Sequence, residues 1–398
     1  MPTVIEALRR FMPAYLSTQP MLSRVQRRAI WALQNCRTAV MGGHVHGCQS
    51  CAHERRYAYH SCHHKSCPQC GRAATAEWVR REQSKLIPAP YFMVTFTLPS
   101  ELRDLFFGQE AKAAYDAFFH ASAATLSLAL ANKRWLGAQR SAFTMVLHTW
   151  NQQMLFHPHL HCIVPAAGLD AHGRYITVKK AGHLMPADAL KKALRHHFGA
   201  QMKALGLSCD PAVWRKKWGI NVQPFGSGEN AIKYLGRYIH RSVIGDSRIL
   251  AITDTHVTFH YKDRAADNTT RKMTLSGIEF VRRHLRHVQP AKLRAVRYYG
   301  YHHPAAKRTR QRVQQGSGNH DEARSILRHK TAKDERTDAE AATEKREPKT
   351  QNKPPKCPCC QQAMVIIARI QPGWKRGALW QPMQSRAPPD EMKGTPSA

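Results

Sequence analysis

Two stretches of the chain carry residues that could cooperate in phosphate chemistry. The first is Phe156-His157-Pro158-His159-Leu160-His161-Cys162-Ile163-Val164. Alternate side chains of a β-strand share one face, so His159 and His161 point together while Leu160 is buried on the other side. Two imidazoles side by side on a rigid strand suit one divalent metal. The second stretch is Lys233-Tyr234-Leu235-Gly236-Arg237-Tyr238-Ile239-His240-Arg241. Wound as a helix at about 100° per residue, it puts Ile232, Leu235, Ile239 and Val243 on one face. Lys233, Arg237 and Arg241 form a row on another face, and Tyr234 and Tyr238 lie together beside that row. Two hydroxyls next to three cations make a phosphate-facing surface, and nearby positive charge favours the phenolate, the nucleophilic form.

The two stretches complement each other chemically. A tyrosine hydroxyl, with an ordinary pKa near 10, is a poor nucleophile at neutral pH. A metal on His159 and His161 would act as Lewis acid and template for the scissile phosphate and its leaving oxygen. Tyrosine attack would give a covalent 5′-phosphotyrosine and a free 3′-hydroxyl. The bond energy is conserved, so the hydroxyl can later rejoin strands, and two tyrosines allow two such intermediates in one cycle. Hard phosphate oxygens point to Mg²⁺ or Mn²⁺. Two imidazoles rarely suffice as a metal site. The candidates for a third ligand are His157, Glu229, His240 and Gln223, and the sequence does not choose among them.

Elements that position these residues follow from the apolar pattern. Residues 91–97, 142–148 and 157–164 are β-branched or aromatic and read as strands, with 175–178 returning after a Gly-containing turn and 221–223 as a further short strand. Residues 105–130 and 187–205 read as helices. The expected fold class is α+β: an antiparallel sheet with helices on one face. It fills a central domain over 91–303. The preceding domain, 1–90, opens with two helices over 4–15 and 22–36 and closes with a basic helix over 73–86.

That first domain also holds Cys48-x-x-Cys51 and Cys67-x-x-Cys70. Two Cys-x-x-Cys knuckles at this separation predict a structural four-thiolate zinc site of Cys48, Cys51, Cys67 and Cys70, since each tight turn supplies two of the four tetrahedral ligands. A second zinc using Cys36, His44 and Cys62 stands beside the reading of those residues as ordinary loop groups. The domain also offers Arg55, Arg56, Lys65 and Arg72 to a nucleic acid. The remainder, 304–398, is basic and poor in large apolar residues, and 304–356 reads as disordered or loosely helical linker. Cys357 and Cys360 make one further knuckle with no Cys or His after it, either half a site completed elsewhere or a truncated remnant, and the sequence assigns it no role.

Charge narrows the class of partner. The 398 residues contain 61 Lys and Arg against 27 Asp and Glu, a formal net charge of +34. Such a field attracts polyanions, because each neutralised phosphate releases counterions. No run is long and apolar enough to span a bilayer and the N-terminus is no signal peptide, so a soluble, cytoplasmic protein without membrane partners is expected. Its cysteines are then metal ligands or thiols before disulfides.

At these residues the chain resembles the two-tyrosine HUH transposases of rolling-circle insertion sequences, the IS-ninety-one-like group. The resemblance runs through most of residues 20–300. It includes Cys36-Arg37-Thr38, Gly43-His44, both knuckles with Ser61-Cys62 between them, Val94-Thr95-Phe96-Thr97-Leu98-Pro99 and the His-x-His strand. It continues through Tyr234-Leu235-Gly236-Arg237-Tyr238, Val257 to Asp263 and Gly277 to Arg283. The resemblance implies an N-terminal zinc-binding domain followed by a catalytic domain of HUH-endonuclease type. Its substrate would be single-stranded DNA at mobile-element ends, with His159 and His161 as metal pair and Tyr234 and Tyr238 as nucleophiles. The chain departs from the pattern at Ser66, where the family tends to have histidine, and at Gly245-Asp246. Two other readings compete: a zinc-finger DNA-binding protein or inactive copy without catalysis, and a metal-dependent hydrolase.

Overall fold

A computed structural model describes residues 1–51, 55–178, 182–239, 243–263, 266–318 and 354–373, with the side chains of residues 72–74, 237 and 238 outside that description. In chain order the N-terminal elements are α1 (Val4–Ser17), α2 (Arg24–Asn35), β1 (Gly43–Gly47), β2 (Arg55–Tyr59) and α3 (Gly71–Gln83). Next come β3 (Tyr91–Thr97), α4 (Ala111–Ala131), β4 (Ala142–Trp150), β5 (Phe156–Pro165), β6 (Ala167–Leu169), β7 (Tyr175–Thr177) and α5 (Ala187–Ala204). They are followed by β8 (Gly219–Pro224), α6 (Gly228–Ile239), β9 (Ile249–Ile252), β10 (His256–Asp263), β11 (Thr269–Ser276) and α7 (Gly277–Arg286). The last elements are β12 (Val296–Gly300), α8 (Lys307–Gly318) and β13 (Val365–Ile370).

The chain divides into two compact units, 1–34 with 62–353, and 35–61 with 354–398. This division differs from the three consecutive domains expected. The N-terminal helices belong to the larger unit because α1 packs on α7: Phe11 lies where a side chain at Gly277 would otherwise stand, and the Val4 N–H donates to Asp246 Oδ1 at 2.9 Å.

The larger unit is built on a five-stranded antiparallel sheet in the order β12-β4-β5-β3-β8. Strand alternation sorts its residues into two cores. Phe92, Val94, Phe96, Met145, Leu147, Leu160 and Cys162 pack against Phe118 and Leu126 of α4 and Leu194 and Phe198 of α5. The opposite face carries Tyr91, Met93, Val146 and Ile163, covered by Ile232 and Leu235 of α6 and Trp78 of α3. Helices therefore cover both faces, not one. The reason lies in α6, whose apolar stripe has a sheet face to bury against just as α4 does.

A three-stranded sheet, β11-β10-β9, packs Val257 and Phe259 near α7, with the Phe259 and Phe280 rings 6.3 Å apart. The Ser276 Oγ caps α7 by accepting from the Glu279 N–H at 3.3 Å. Part of the expected tail is regular structure. Helix α8 buries Val313, and Arg312 donates to the Gly173 carbonyl at 3.4 Å, which ties it to the β6–β7 hairpin.

The smaller unit is a three-stranded antiparallel sheet in the order β13-β1-β2. Among the described residues no helix is long and apolar enough to cross a membrane.

Candidate active site and thiol clusters

Three imidazoles converge at the centre of the five-stranded sheet. In the antiparallel register His159 of β5 lies opposite His148 of β4 and Thr97 of β3, while His161 lies opposite Val146 and Thr95. His148 shares a face with Val146, two residues before it, so all three histidines point to the α6 side. One ring nitrogen from each of His148, His159 and His161 lies within 4.8 Å of the others. Their ring centroids are 5.4 Å (His148–His159), 4.7 Å (His148–His161) and 4.9 Å (His159–His161) apart.

Neighbouring groups fix the ring orientations. The Nδ1 of His159 lies 2.7 Å from the His157 carbonyl, so Nδ1 carries the proton and Nε2 keeps its lone pair. The Nδ1 of His161 lies 3.0 Å from the Thr95 Oγ1. Burial, then the neighbouring His161 and His159, hold His148 well below the usual histidine pKa. A neutral imidazole is the form that binds metal. The cluster thus has the composition of a facial three-nitrogen site on a stiff scaffold.

None of the four residues weighed as a third ligand belongs to this cluster among the described residues. His157 is engaged by Arg103, whose Nη2 lies 3.1 Å from its Nδ1. Glu229 pairs with Lys233 at 3.6 Å on the exposed side of α6. Gln223 is exposed on the edge strand β8, opposite Met93, and His240 lies outside the described residues. His148 was legible in principle. Continuing the alternation Ala142, Thr144, Val146 by one step puts it on the metal-facing side of its strand.

Helix α6 brings Tyr234 to this centre. Its ring stands edge-on to that of His161 with centroids 6.2 Å apart, and it packs on Phe225 at 5.4 Å. Ile232 and Leu235 are buried against the sheet, as the helical wheel required. Lys233 is exposed. The side chains of Arg237 and Tyr238 and the whole of Arg241 lie outside the described residues.

The thiols group differently from the single site expected of Cys48, Cys51, Cys67 and Cys70. In the larger unit Cys67 and Cys70 gather with Cys62, whose Sγ lies 3.7 Å from that of Cys70. Cys70 is the N-cap residue of α3. In the smaller unit Cys48 and Cys51 gather with Cys357 and Cys360. Backbone N–H groups of Cys51 and Ser50, together with the Cys360 thiol, lower the Cys48 pKa to about 6. The physical reason for the regrouping is that a Cys-x-x-Cys turn fixes its own two sulfurs but says nothing about which second pair it meets. His44, on β1, has its ring 5.1 Å from that of His60 and is not among the thiol clusters.

The site is thus an antiparallel sheet carrying clustered histidines with a tyrosine helix against it, accompanied by two thiol clusters, and comparison with known proteins gives the family. Residues 142–311 match the family described as "Putative transposase", and residues 7–98 match "Transposase zinc-binding domain". The chain is 36% identical over 321 residues, 75% of its own length and 80% of the relative's, to "Putative transposase y4qJ" of Sinorhizobium fredii. It is 27% identical over 307 residues, 72% of its length and 73% of the relative's, to "Transposase for insertion sequence element IS801" of Pseudomonas savastanoi pv. phaseolicola. No solved structure matches the chain. The chain belongs to the IS-ninety-one-like insertion-sequence transposases, which carry an N-terminal zinc-binding domain. As a transposase it processes DNA, and its cysteine clusters fit structural zinc.

Proposed function

We propose that this transposase nicks and rejoins single-stranded DNA at element ends through a 5′-phosphotyrosine intermediate, in a rolling-circle mode of transposition. The observation that carries the reading is the placement of Tyr234 against His161, beside three converged imidazoles. His148, His159 and His161 would hold the divalent metal. When bound, it would supply Lewis-acid neutralisation of charge on the phosphate oxygens. An all-imidazole donor set favours Mn²⁺ over Mg²⁺, which prefers oxygen ligands.

The remaining steps belong to side chains of this protein. The Tyr234 or Tyr238 hydroxyl loses its proton as its oxygen attacks phosphorus. The bond from phosphorus to the 3′ oxygen breaks, and that oxygen takes a proton and leaves as the 3′-hydroxyl. Reversal by a 3′-hydroxyl restores the phosphodiester and frees the tyrosine. Lys233, Arg237 and Arg241, one row at helical spacing in the sequence, would hold flanking phosphates. Lys233 would exchange its exposed partner Glu229 for phosphate, which costs little because surface ion pairs are weak. Cys62, Cys67 and Cys70 would supply three ligands of one structural zinc.

The reading is tested by a covalent-adduct assay. Purified protein meets single-stranded oligonucleotides spanning element ends and flanks, with Mn²⁺ or with EDTA, and is run on a denaturing gel. A metal-dependent shifted band, lost in the Tyr234→Phe, Tyr238→Phe double variant, is expected. Binding without an adduct on any substrate would favour a non-catalytic DNA-binding protein, and cleavage without an adduct a hydrolase.

A further inference from the structure

The knuckle Cys357-Pro358-Cys359-Cys360 lies outside both matched ranges, far along the chain from the zinc-binding region. We infer that Cys48, Cys51, Cys357 and Cys360 form one structural zinc site, so that the zinc-binding fold of the N-terminal region is completed by a knuckle and strand from the other end of the chain.

Sulfur geometry supports the inference first. The four Sγ atoms lie within 4.8 Å of one another, with Cys48 to Cys360 at 3.3 Å and Cys51 to Cys357 at 3.5 Å. Four Zn–S bonds of about 2.3 Å in a tetrahedron give sulfur–sulfur edges of about 3.8 Å. The ion therefore fits with an opening of a few tenths of an ångström, well within side-chain rotation. Four thiols of this kind leave no open coordination position, so the site staples and does not catalyse.

The knuckle itself is a built turn. The Cys357 N–H donates to the Gln362 carbonyl at 2.8 Å, the Gln361 N–H to the Cys357 carbonyl at 2.9 Å, and the Met364 N–H to the Pro355 carbonyl at 2.8 Å. Gln361 holds φ at +60°, the left-handed region where a side chain costs energy. This turn brings Cys357 and Cys360 toward one point.

The strand that follows seats the knuckle on the zinc-binding region. β13 pairs along all of β1, from Gly43 opposite Ile370 to Gly47 opposite Val365. Ile367 fills the space where a Cβ at Gly47 would fall, 2.9 Å away. Among the described residues the apolar cluster around these sulfurs consists of Cys48, Cys357 and Met364, with Cys51 and Cys360 at its edge, a small cluster to which a metal staple would add. Zinc binding then contributes folding energy directly, and the region is completed only once β13 has been made, through Ile370.

The test uses the full-length protein and reads zinc, so it stands apart from any failure of the tyrosine chemistry. Zinc per chain is measured for wild type, for Cys357→Ser with Cys360→Ser, for Cys48→Ser with Cys51→Ser, and for all four together. Each pair is expected to lose one equivalent, and the fourfold variant no more than one, because both pairs remove the same ion. Unchanged zinc in the Cys357/Cys360 variant, or loss of two equivalents in the fourfold variant, overturns the inference. Wild-type protein provides a readout free of folding defects: alkylation of native thiols followed by peptide mass spectrometry. Cys357 and Cys360 are expected to be protected together with Cys48 and Cys51 and released together by chelator, while exposed Cys359 reacts throughout. If Cys357 and Cys360 react as fast as Cys359 while Cys48 and Cys51 stay protected, the shared site is wrong.

Discussion

The histidine centre and the thiol clusters are both metal-type sites, yet they are built by opposite rules. The histidines come from two neighbouring strands of one sheet, and their convergence is set by pleat and register: His159 opposite His148, with His161 two residues on. The thiols come from turns: Cys62, Cys67 and Cys70 are close in the chain, whereas Cys48 and Cys51 meet Cys357 and Cys360 through tertiary structure alone. The first arrangement gives three donors on a stiff platform. The second gives closed thiol groups that hold loops in place. Open sites need a rigid frame that exists without the metal, whereas closed sites can supply the frame themselves.

This contrast can be broken by removing each site in turn. The largest expected effect is at the thiols of the larger unit. Cys67→Ser with Cys70→Ser should release a zinc and unfold the region around α3, read as loss of zinc and of helical circular dichroism. Intact folding with full zinc content would show that these thiols are not a staple.

A second large effect is on stability against pH. His287 and His302 are buried and held neutral, with pKa lowered to about 4 and about 3, in both cases chiefly by burial. Unfolded, both titrate near 6.5, so below that pH the unfolded chain binds protons that the folded chain refuses, and folding weakens down to about pH 4. At about 1.4 kcal/mol per pKa unit the two together cost several kcal/mol. Urea unfolding from pH 7 to pH 4 should therefore show a steep fall. Replacing Thr144, whose Oγ1 lies 3.0 Å from the His302 Nδ1, should alter that fall. A flat profile would contradict buried neutral histidines.

A smaller effect is expected from the group that orients His161. Thr95→Val removes the Oγ1 beside the His161 Nδ1. It should weaken metal binding on the order of 10- to 100-fold, the usual cost of losing a group that aims a ligand, while leaving the melting temperature within a few degrees. Titration of Mn²⁺ against adduct formation would measure it. The smallest effect belongs to the surface of β2, where Arg55, Arg56 and Tyr57 are exposed and the Tyr57 and Tyr59 rings stack at 6.2 Å. Arg55→Ala with Arg56→Ala should lower the salt slope of single-stranded DNA binding by about 1.4, roughly 0.7 per phosphate contact.

The same contrast explains how far the sequence could be read. The tyrosine helix, the His-x-His strand and the strands around it follow from local periodicity, and Ile232 and Leu235 are buried as the wheel required. His148 lies near the end of a strand whose α6-facing row otherwise carries Ala142, Thr144 and Val146, and a lone histidine in that row gives no pattern of its own. The cysteine grouping was legible only in part: spacing gives each Cys-x-x-Cys turn, but which second group a turn meets is decided by long-range packing, as for Cys48 and Cys51 with Cys357 and Cys360. Strand β13, with Val365, Ile366 and Ile367 exposed, has the composition of a core strand but covers an edge. Periodicity alone cannot tell those two uses apart.

The central claim is that His148, His159 and His161 with Tyr234 form one catalytic centre, and it is tested most directly by comparing two alanine variants in the Mn²⁺-dependent adduct assay. His148→Ala should reduce adduct formation by at least about 10²- to 10³-fold, the range for removing one preorganised charge-stabilising group. His157→Ala, a histidine equally near in sequence but engaged by Arg103, should stay within a few-fold of wild type. Adduct formed at the wild-type rate by His148→Ala, or its loss only in His157→Ala, would contradict the centre as described.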